Sequence, residues 1–194
     1  MNLDYKIIGI AGNAGSGKDT LGENFEKILA DQGIKAQRLS FAFELRKSLD
    51  EFLIKETGIS AFTKDKNEKN LIRPLLVCWG TDIMRKLNDN IWIEKIEPSL
   101  LNDHVNIITD LRFPNELKWI KENNGFSLLI KRDGINPANE YEKLHNENMA
   151  QDVDLEFEIG NFDDQKLIQL TANEILNSLI NQKTYNIWKA TCHS

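Results

Sequence analysis

Two apolar rhythms alternate along the chain. Tyr5–Ala11 (YKIIGIA) is a short, nearly continuous apolar run that ends at glycine, the pattern of a strand buried on both faces of a parallel sheet. From Lys18 the spacing becomes helical, with Leu21, Phe25, Ile28 and Leu29 on one face, and Gly33 supplies the left-handed residue that stops such a helix. Ala36–Phe41, His104–Thr109, Phe126–Lys131 and Leu155–Ile159 repeat the strand pattern. Asn115–Asn123, stopped near Gly125, and Asp163–Asn181 repeat the helical one. In the last helix Leu167, Ile168, Leu170, Ile175, Leu179 and Ile180 are apolar, and Asp163 and Asp164 suit the positive end of its dipole. Strands that alternate with helices predict an α/β protein in three α/β/α layers, with about five parallel strands.

Residues 42–101 break the alternation. They hold no convincing strand and predict helices over Ala42–Glu56, Leu71–Leu87 and Trp92–Leu101. Gly58–Asn70 is polar and lysine-rich, and it predicts a loop with Lys64–Lys69 solvated. A helical insertion is therefore expected between the second and third strands. Asp133–Glu140, with Gly134 and Pro137, predicts a loop, and Tyr141–Ala150 a short polar helix. The last dozen residues carry no clear pattern. A length of 194 residues suits one domain, 1–194, that carries this insertion.

The net charge of −6 lacks the basic excess expected of a protein that grips a nucleic-acid polymer, although a few local Arg and Lys residues suffice for small phosphates. The two cysteines, Cys78 and Cys192, fit no metal spacing and suit a reducing compartment. The N-terminus shows no signal-peptide pattern and no apolar run approaches membrane-spanning length, so a cytoplasmic protein is expected.

The chemistry concentrates in Gly12-Asn13-Ala14-Gly15-Ser16-Gly17-Lys18, which fits G-x-x-x-x-G-K between a predicted strand and a predicted helix. Glycines let the backbone curl so that successive N–H groups point inward at phosphate oxygens, and the helix end adds to the attraction. Asn13, Gly15, Ser16, Gly17, Lys18, Asp19 and Thr20 are the candidate nucleotide-binding residues, with Lys18 bridging the β- and γ-phosphates. Asp19 stands where Ser or Thr would normally ligate Mg²⁺, with Thr20 next. Either Asp19 holds the metal, directly or through water, or Thr20 contributes; a carboxylate suits a hard cation. Asp110 ends an apolar strand at the carboxyl edge of the sheet, a third candidate metal or substrate residue, with helix capping as its alternative role.

Phosphoryl transfer onto a phosphate gathers negative charge and needs positioning and neutralisation more than a strong base. Arginines near predicted element ends or in the insertion supply it: Arg46, Arg73, Arg85, Arg112 and Arg132. The ordered set Gly12–Thr20, Ser40-Phe41-Ala42, Gly80-Thr81-Asp82, Trp92 and Asp110-Leu111-Arg112-Phe113-Pro114-Asn115-Glu116 resembles the bacteriophage deoxynucleoside monophosphate kinases, from Lys6 to about Leu170. The resemblance implies a P-loop kinase fold with a helical monophosphate-binding insertion and a lid at about 133–151. It implies transfer of the ATP γ-phosphoryl to a deoxynucleoside 5′-monophosphate with Mg²⁺, and it is compatible with a homodimer. By position it makes Lys18, Arg112 and Arg132 catalytic. It places Arg46, Gly80, Thr81, Trp92, Asp110, Arg112 and Glu116 at the acceptor, Trp92 against the sugar or base. Val77 and His145-Asn146-Glu147-Asn148 depart from the family pattern.

Two alternatives stay open. Another P-loop kinase could act on a phosphorylated metabolite, phosphomevalonate and dephospho-coenzyme A being examples. A nucleotide-dependent switch or assembly ATPase is the other, but a GTPase would need N-K-x-D, and the nearest string, Thr63-Lys64-Asp65, lacks the Asn.

Overall fold

The computed structural model describes residues 5–137, 140–159 and 165–180. Asp163, Asp164, Asn181 and Cys192, singled out in the sequence, lie outside the described residues. The chain divides into two compact units, Leu39–Leu100 and the remainder.

The larger unit is built on a five-stranded sheet of β1 (Ile7–Gly12), β2 (Ala36–Leu39), β3 (Val105–Leu111), β4 (Phe126–Arg132) and β5 (Leu155–Ile159), in the order β2-β3-β1-β4-β5. The β1–β3, β1–β4 and β4–β5 ladders are parallel. Every residue of β1 is buried, as its continuous apolar run requires of a central strand. Its side chains alternate between two helical layers. Ile8 and Ile10 join a core with α1 (Lys18–Asp31) and α8 (Gln165–Ile180), through Leu21, Phe25 and Leu29 on one helix and Ala172, Ile175, Leu176 and Leu179 on the other. On the opposite face Gly9 lies under Ile120 of α6 (Pro114–Glu122), close enough that an added Cβ would come within 2.3 Å of its Cδ1. α7 (Glu140–Ala150) packs on α6 and β4. This is the three-layer α/β/α arrangement that the alternating pattern predicts. Leu170, expected on the apolar face of the last helix, is instead 51% exposed.

The smaller unit contains α2 (Phe41–Thr57), α3 (Lys66–Val77), a π-helical segment Cys78–Met84, the short α4 (Arg85–Leu87), α5 (Ile91–Ile96) and a 3₁₀ turn Glu97–Ser99. Several boundaries differ from the sequence expectation, among them the helix expected over Trp92–Leu101, which ends at Ile96, and three have a clear local reason. The second strand stops at Leu39, not Phe41, because Ser40 caps α2 by accepting from the Phe43 N–H. The polar stretch expected as a loop turns helical at Lys66, because Asp65 accepts from the Asn67 and Glu68 amides. The helix expected over Leu71–Leu87 widens into π geometry at Cys78, where Gly80 lies against Leu45, an added Cβ falling 2.1 Å from its Cδ1.

A polar knot fixes the start of β3. Asn106 is 3% exposed, and its amide donates to the carbonyls of Lys6, Leu101 and His104. Its Oδ1 accepts from Gln37 Nε2 at 2.6 Å and from the Leu101 N–H at 3.1 Å. Losing this side chain strands several buried donors and acceptors at once. Asn106→Ala is expected to lower unfolding stability by about 2–3 kcal/mol in urea denaturation.

Candidate active site around the phosphate loop

β1 delivers the chain to Gly12, and the loop closes into α1. Gly12 has a φ of 145°, and a Cβ there would stand 2.4 Å from the Ile130 carbonyl oxygen, so only glycine fits between the loop and β4. Gly17 caps α1 in the left-handed region with a φ of 95° and offers no side-chain acceptor, leaving the first helical amides available to an anion. The Ser16 N–H donates to the Asn13 carbonyl at 3.1 Å and closes the turn. The Lys18 ammonium folds back over this loop, donating to the Gly12 carbonyl at 2.8 Å and the Asn13 carbonyl at 2.7 Å.

Parallel pairing of β1 with β3 sets Ala11 opposite Leu111, so the residues around Leu111 stand at the same sheet edge as the loop. Strand order reverses about β1, and the crevice at such a point is where open α/β sheets bind ligands. Burial, and then the Arg112 guanidinium, push the Lys18 ammonium below its usual 10.5, while Glu142, Asp19 and Asp110 pull it back. Lys18, Asp19, Asp110 and Arg112 therefore share one electrostatic site. Arg112 is exposed and Asp110 and Thr20 are half-buried. Asp19 is exposed, and its Oδ1 accepts from the Thr109 hydroxyl at 2.8 Å.

Glu116 is 1% exposed, and its Oε2 accepts from the backbone N–H groups of Arg112, at 2.9 Å, and Phe113, at 3.1 Å. It caps α6 and fixes the backbone that carries Arg112, a geometry that differs from the acceptor contact expected of it. Arg132 ends β4, half-buried, and its carbonyl accepts from the Ile135 N–H.

The helical unit holds the remaining expected residues. Arg46 on α2 and Arg73 on α3 are exposed. Arg85 donates to the Asp89 carbonyl at 3.1 Å, and Thr81 lies half-buried in the π-helical segment. Trp92 is 2% exposed, and its indole N–H donates to the Gly80 carbonyl at 3.1 Å. That is a packing position, and the sugar or base contact expected of Trp92 finds almost no exposed ring. Gly80 likewise serves close packing against Leu45.

Glu142 and Thr109 have no role expected from the sequence, and Asn146 only a place in the stretch that departs from the family pattern. Glu142 of α7 accepts from the Ala14 amide at 3.0 Å, so a carboxylate holds one of the loop N–H groups. Asn146, one turn along the same helix, donates to Asn13 Oδ1 at 2.6 Å, and the Asn13 amide donates to the Ile135 carbonyl at 3.1 Å. The i, i+4 spacing of Glu142 and Asn146 marks a shared face in the sequence, but not what that face meets. Thr109 carried no signal beyond its place before Asp110. On the same side, His145 meets the Phe113 ring edge-on, with centroids 5.0 Å apart.

A family model described as phosphomevalonate kinase matches residues 10–126, from β1 to the start of β4 and more than half of the chain. The chain belongs to the phosphomevalonate kinase family. A protein of Acanthamoeba polyphaga mimivirus, provisionally named a deoxynucleotide monophosphate kinase, is 29% identical over 151 residues, covering 66% of this chain and 75% of that one. A gluconokinase from Sinorhizobium meliloti 1021 superposes with a TM-score of 0.50 at 13% identity, over 98% of this chain and 99% of that one, a likeness of fold alone. The protein is a P-loop kinase of α/β/α architecture. Its phosphomevalonate kinase match spans the loop, the insertion and the Asp110–Glu116 segment, whereas its viral relative is named for a different acceptor. Among the described residues no helix is long and apolar enough to cross a membrane.

The depressed Lys18 ammonium has a consequence for stability. Its folded pKa lies below the unfolded 10.5, so between the two the unfolded chain holds the extra proton and stability rises with pH. Relative to Lys18→Met, the native protein is therefore expected to be least stable near neutral pH and to gain as pH is raised towards about 10, measured by urea denaturation at stepped pH.

Proposed function

We propose that the protein transfers the γ-phosphoryl group of ATP to the phosphate of a nucleoside 5′-monophosphate, a deoxynucleotide by preference, giving the diphosphate. The observation that carries this reading is the phosphate loop with Lys18 folded over its carbonyls and Asp19 tied to the end of β3 beside Asp110 and Arg112, combined with a viral relative provisionally named for that acceptor. The loop amides and Lys18 would hold the donor phosphates. Arg112, kept in place by Glu116, and Arg132 would neutralise charge on the transferring group. Arg46, Arg73, Arg85 and Thr81 are the acceptor candidates of the helical unit. No group is needed to deprotonate a phosphate oxygen, which suits a site of cations and carboxylates.

By donor type, Asp19, whose Oδ1 accepts from Thr109 at the same sheet edge, and Asp110 would hold Mg²⁺, which is typically bound by one or two carboxylates together with substrate phosphates. Bound there, it would offset the charge of the β- and γ-phosphoryl oxygens. Thr20 is the further candidate ligand.

A second reading has its own observation. The family model that matches residues 10–126 is named for phosphomevalonate, and a phosphorylated metabolite presents the same chemistry, an anionic phosphate attacking the γ-phosphorus. One assay separates the two. ADP release is followed with ATP and Mg²⁺ against dAMP, dGMP, dCMP, dTMP, their ribose counterparts and phosphomevalonate. Turnover of one or more nucleotides is expected. Turnover of phosphomevalonate alone would favour the second reading, and silence across the panel would reject both acceptors.

The Glu142 carboxylate sits on the Ala14 amide, a donor that nucleotide phosphate would also use. The two anions compete, so part of the binding energy of the nucleotide goes into displacing Glu142. Glu142→Gln, which removes the charge at nearly constant shape, is expected to tighten ATP binding several-fold in equilibrium titrations without acceptor.

A further inference from the structure

Asp19 changes what the phosphate loop asks of its surroundings. The usual Ser or Thr hydroxyl at this place can both donate and accept, whereas an ionised carboxylate only accepts and has two equivalent oxygens. On an exposed helical turn such a side chain samples several rotamers. Here a donor holds it. Thr109, two residues before the end of β3 at Leu111 and 6% exposed, places its hydroxyl 2.8 Å from Asp19 Oδ1.

The Thr109 side chain is itself held from the other side. Its methyl group faces Gly22 of α1, where an added Cβ would come within 2.6 Å of Cγ2. Gly22 stands three residues after Asp19, on the same face of the helix. A β-branched side chain has few χ1 options, so seating the methyl against Gly22 also aims the hydroxyl at Asp19. A glycine in a helix interior costs stability, and this close approach to β3 is what it makes room for.

Resting on the ATP-dependent reading above, we propose that Thr109 is a positioning residue for the cation that accompanies the nucleotide. Its hydroxyl, committed to Oδ1, fixes the Asp19 carboxylate and leaves Oδ2 as the ligand oxygen. Thr109 and Gly22 thus form, with Asp19, a replacement for the hydroxyl that the loop lacks. The role belongs to the proton of the hydroxyl, not to the bulk of the side chain, and that distinction makes it testable.

Thr109→Val keeps the branch that packs on Gly22 and removes the donor, and Thr109→Ser keeps the donor and removes the methyl. Mn²⁺ binding to the protein–ADP complex is measured by electron paramagnetic resonance, alongside ADP binding in excess EDTA and urea denaturation of each variant. Thr109→Val is expected to bind Mn²⁺ about tenfold more weakly, the scale of one hydrogen bond to a charged group, with metal-free ADP binding unchanged. Thr109→Ser, which keeps the donor but gives up the methyl that aims it, is expected to lose clearly less Mn²⁺ affinity than Thr109→Val, an order that a packing role would not produce. Native Mn²⁺ affinity in Thr109→Val, or equal losses in both variants, would overturn the positioning role while leaving the kinase reading intact. Failure of the native protein to bind ADP at all would overturn both.

Discussion

The structure depends on one constraint, that β1 is hydrogen-bonded on both edges and covered on both faces. A strand so placed has no polar backbone exposed and no freedom to slip, because a one-residue shift would exchange Ile8 and Ile10 for Gly9 against α1 and α8. Its carboxyl end is therefore a fixed point, and the phosphate loop hangs from it. The parallel partner β3 ends at the same edge, which brings Thr109, Asp110 and Arg112 to the loop although some ninety residues of chain, the whole helical unit included, separate them from it. Long insertions at such a crossover cost little, since loop-closure entropy grows only with the logarithm of length.

Charge at this edge is balanced among several groups. The Lys18 ammonium is buried and faces a guanidinium, both of which disfavour it, yet it is bonded to two loop carbonyls and sits near three carboxylates. Arriving phosphates would supply the anions that this cluster is built to meet, and Glu142 stands in for part of that charge at the Ala14 amide. The arrangement suits a phosphotransferase, in which electrostatic stabilisation of a moving, multiply charged group outweighs covalent chemistry. It also explains why an acidic protein can hold a phosphate site, because the field that matters is local.

Much of this was legible from residue patterns. Alternation of apolar runs with 3.6-residue spacing marked the sheet and its covering helices, and G-x-x-x-x-G-K marked the loop. Two of the shifted boundaries are capping events: Ser40, in a stretch that reads as strand, and Asp65, in one that reads as loop, each satisfy backbone donors through a side chain. Residues whose role depends on burial are the hardest to read. Glu116 and Trp92, both expected at the acceptor, have interior work here: Glu116 caps a helix and Trp92 fills a core, its indole N–H donating to Gly80. Types that recognise ligands well are also types that satisfy interior structure well, and sequence spacing does not separate the two.

The sequence by itself determined the strand–loop–helix around Gly12–Lys18, since backbone N–H geometry there follows from local glycine positions and the adjacent lysine. It also determined the layer order, because each apolar face must find a cover. Only the tertiary structure decided that Thr109 reaches Asp19, that Gly22 makes space for it, and that Glu142 and Asn146 close on the loop. Those contacts join residues about ninety or more positions apart, and their energies depend on distances of a few ångströms fixed by strand register and helix packing, which no local pattern encodes.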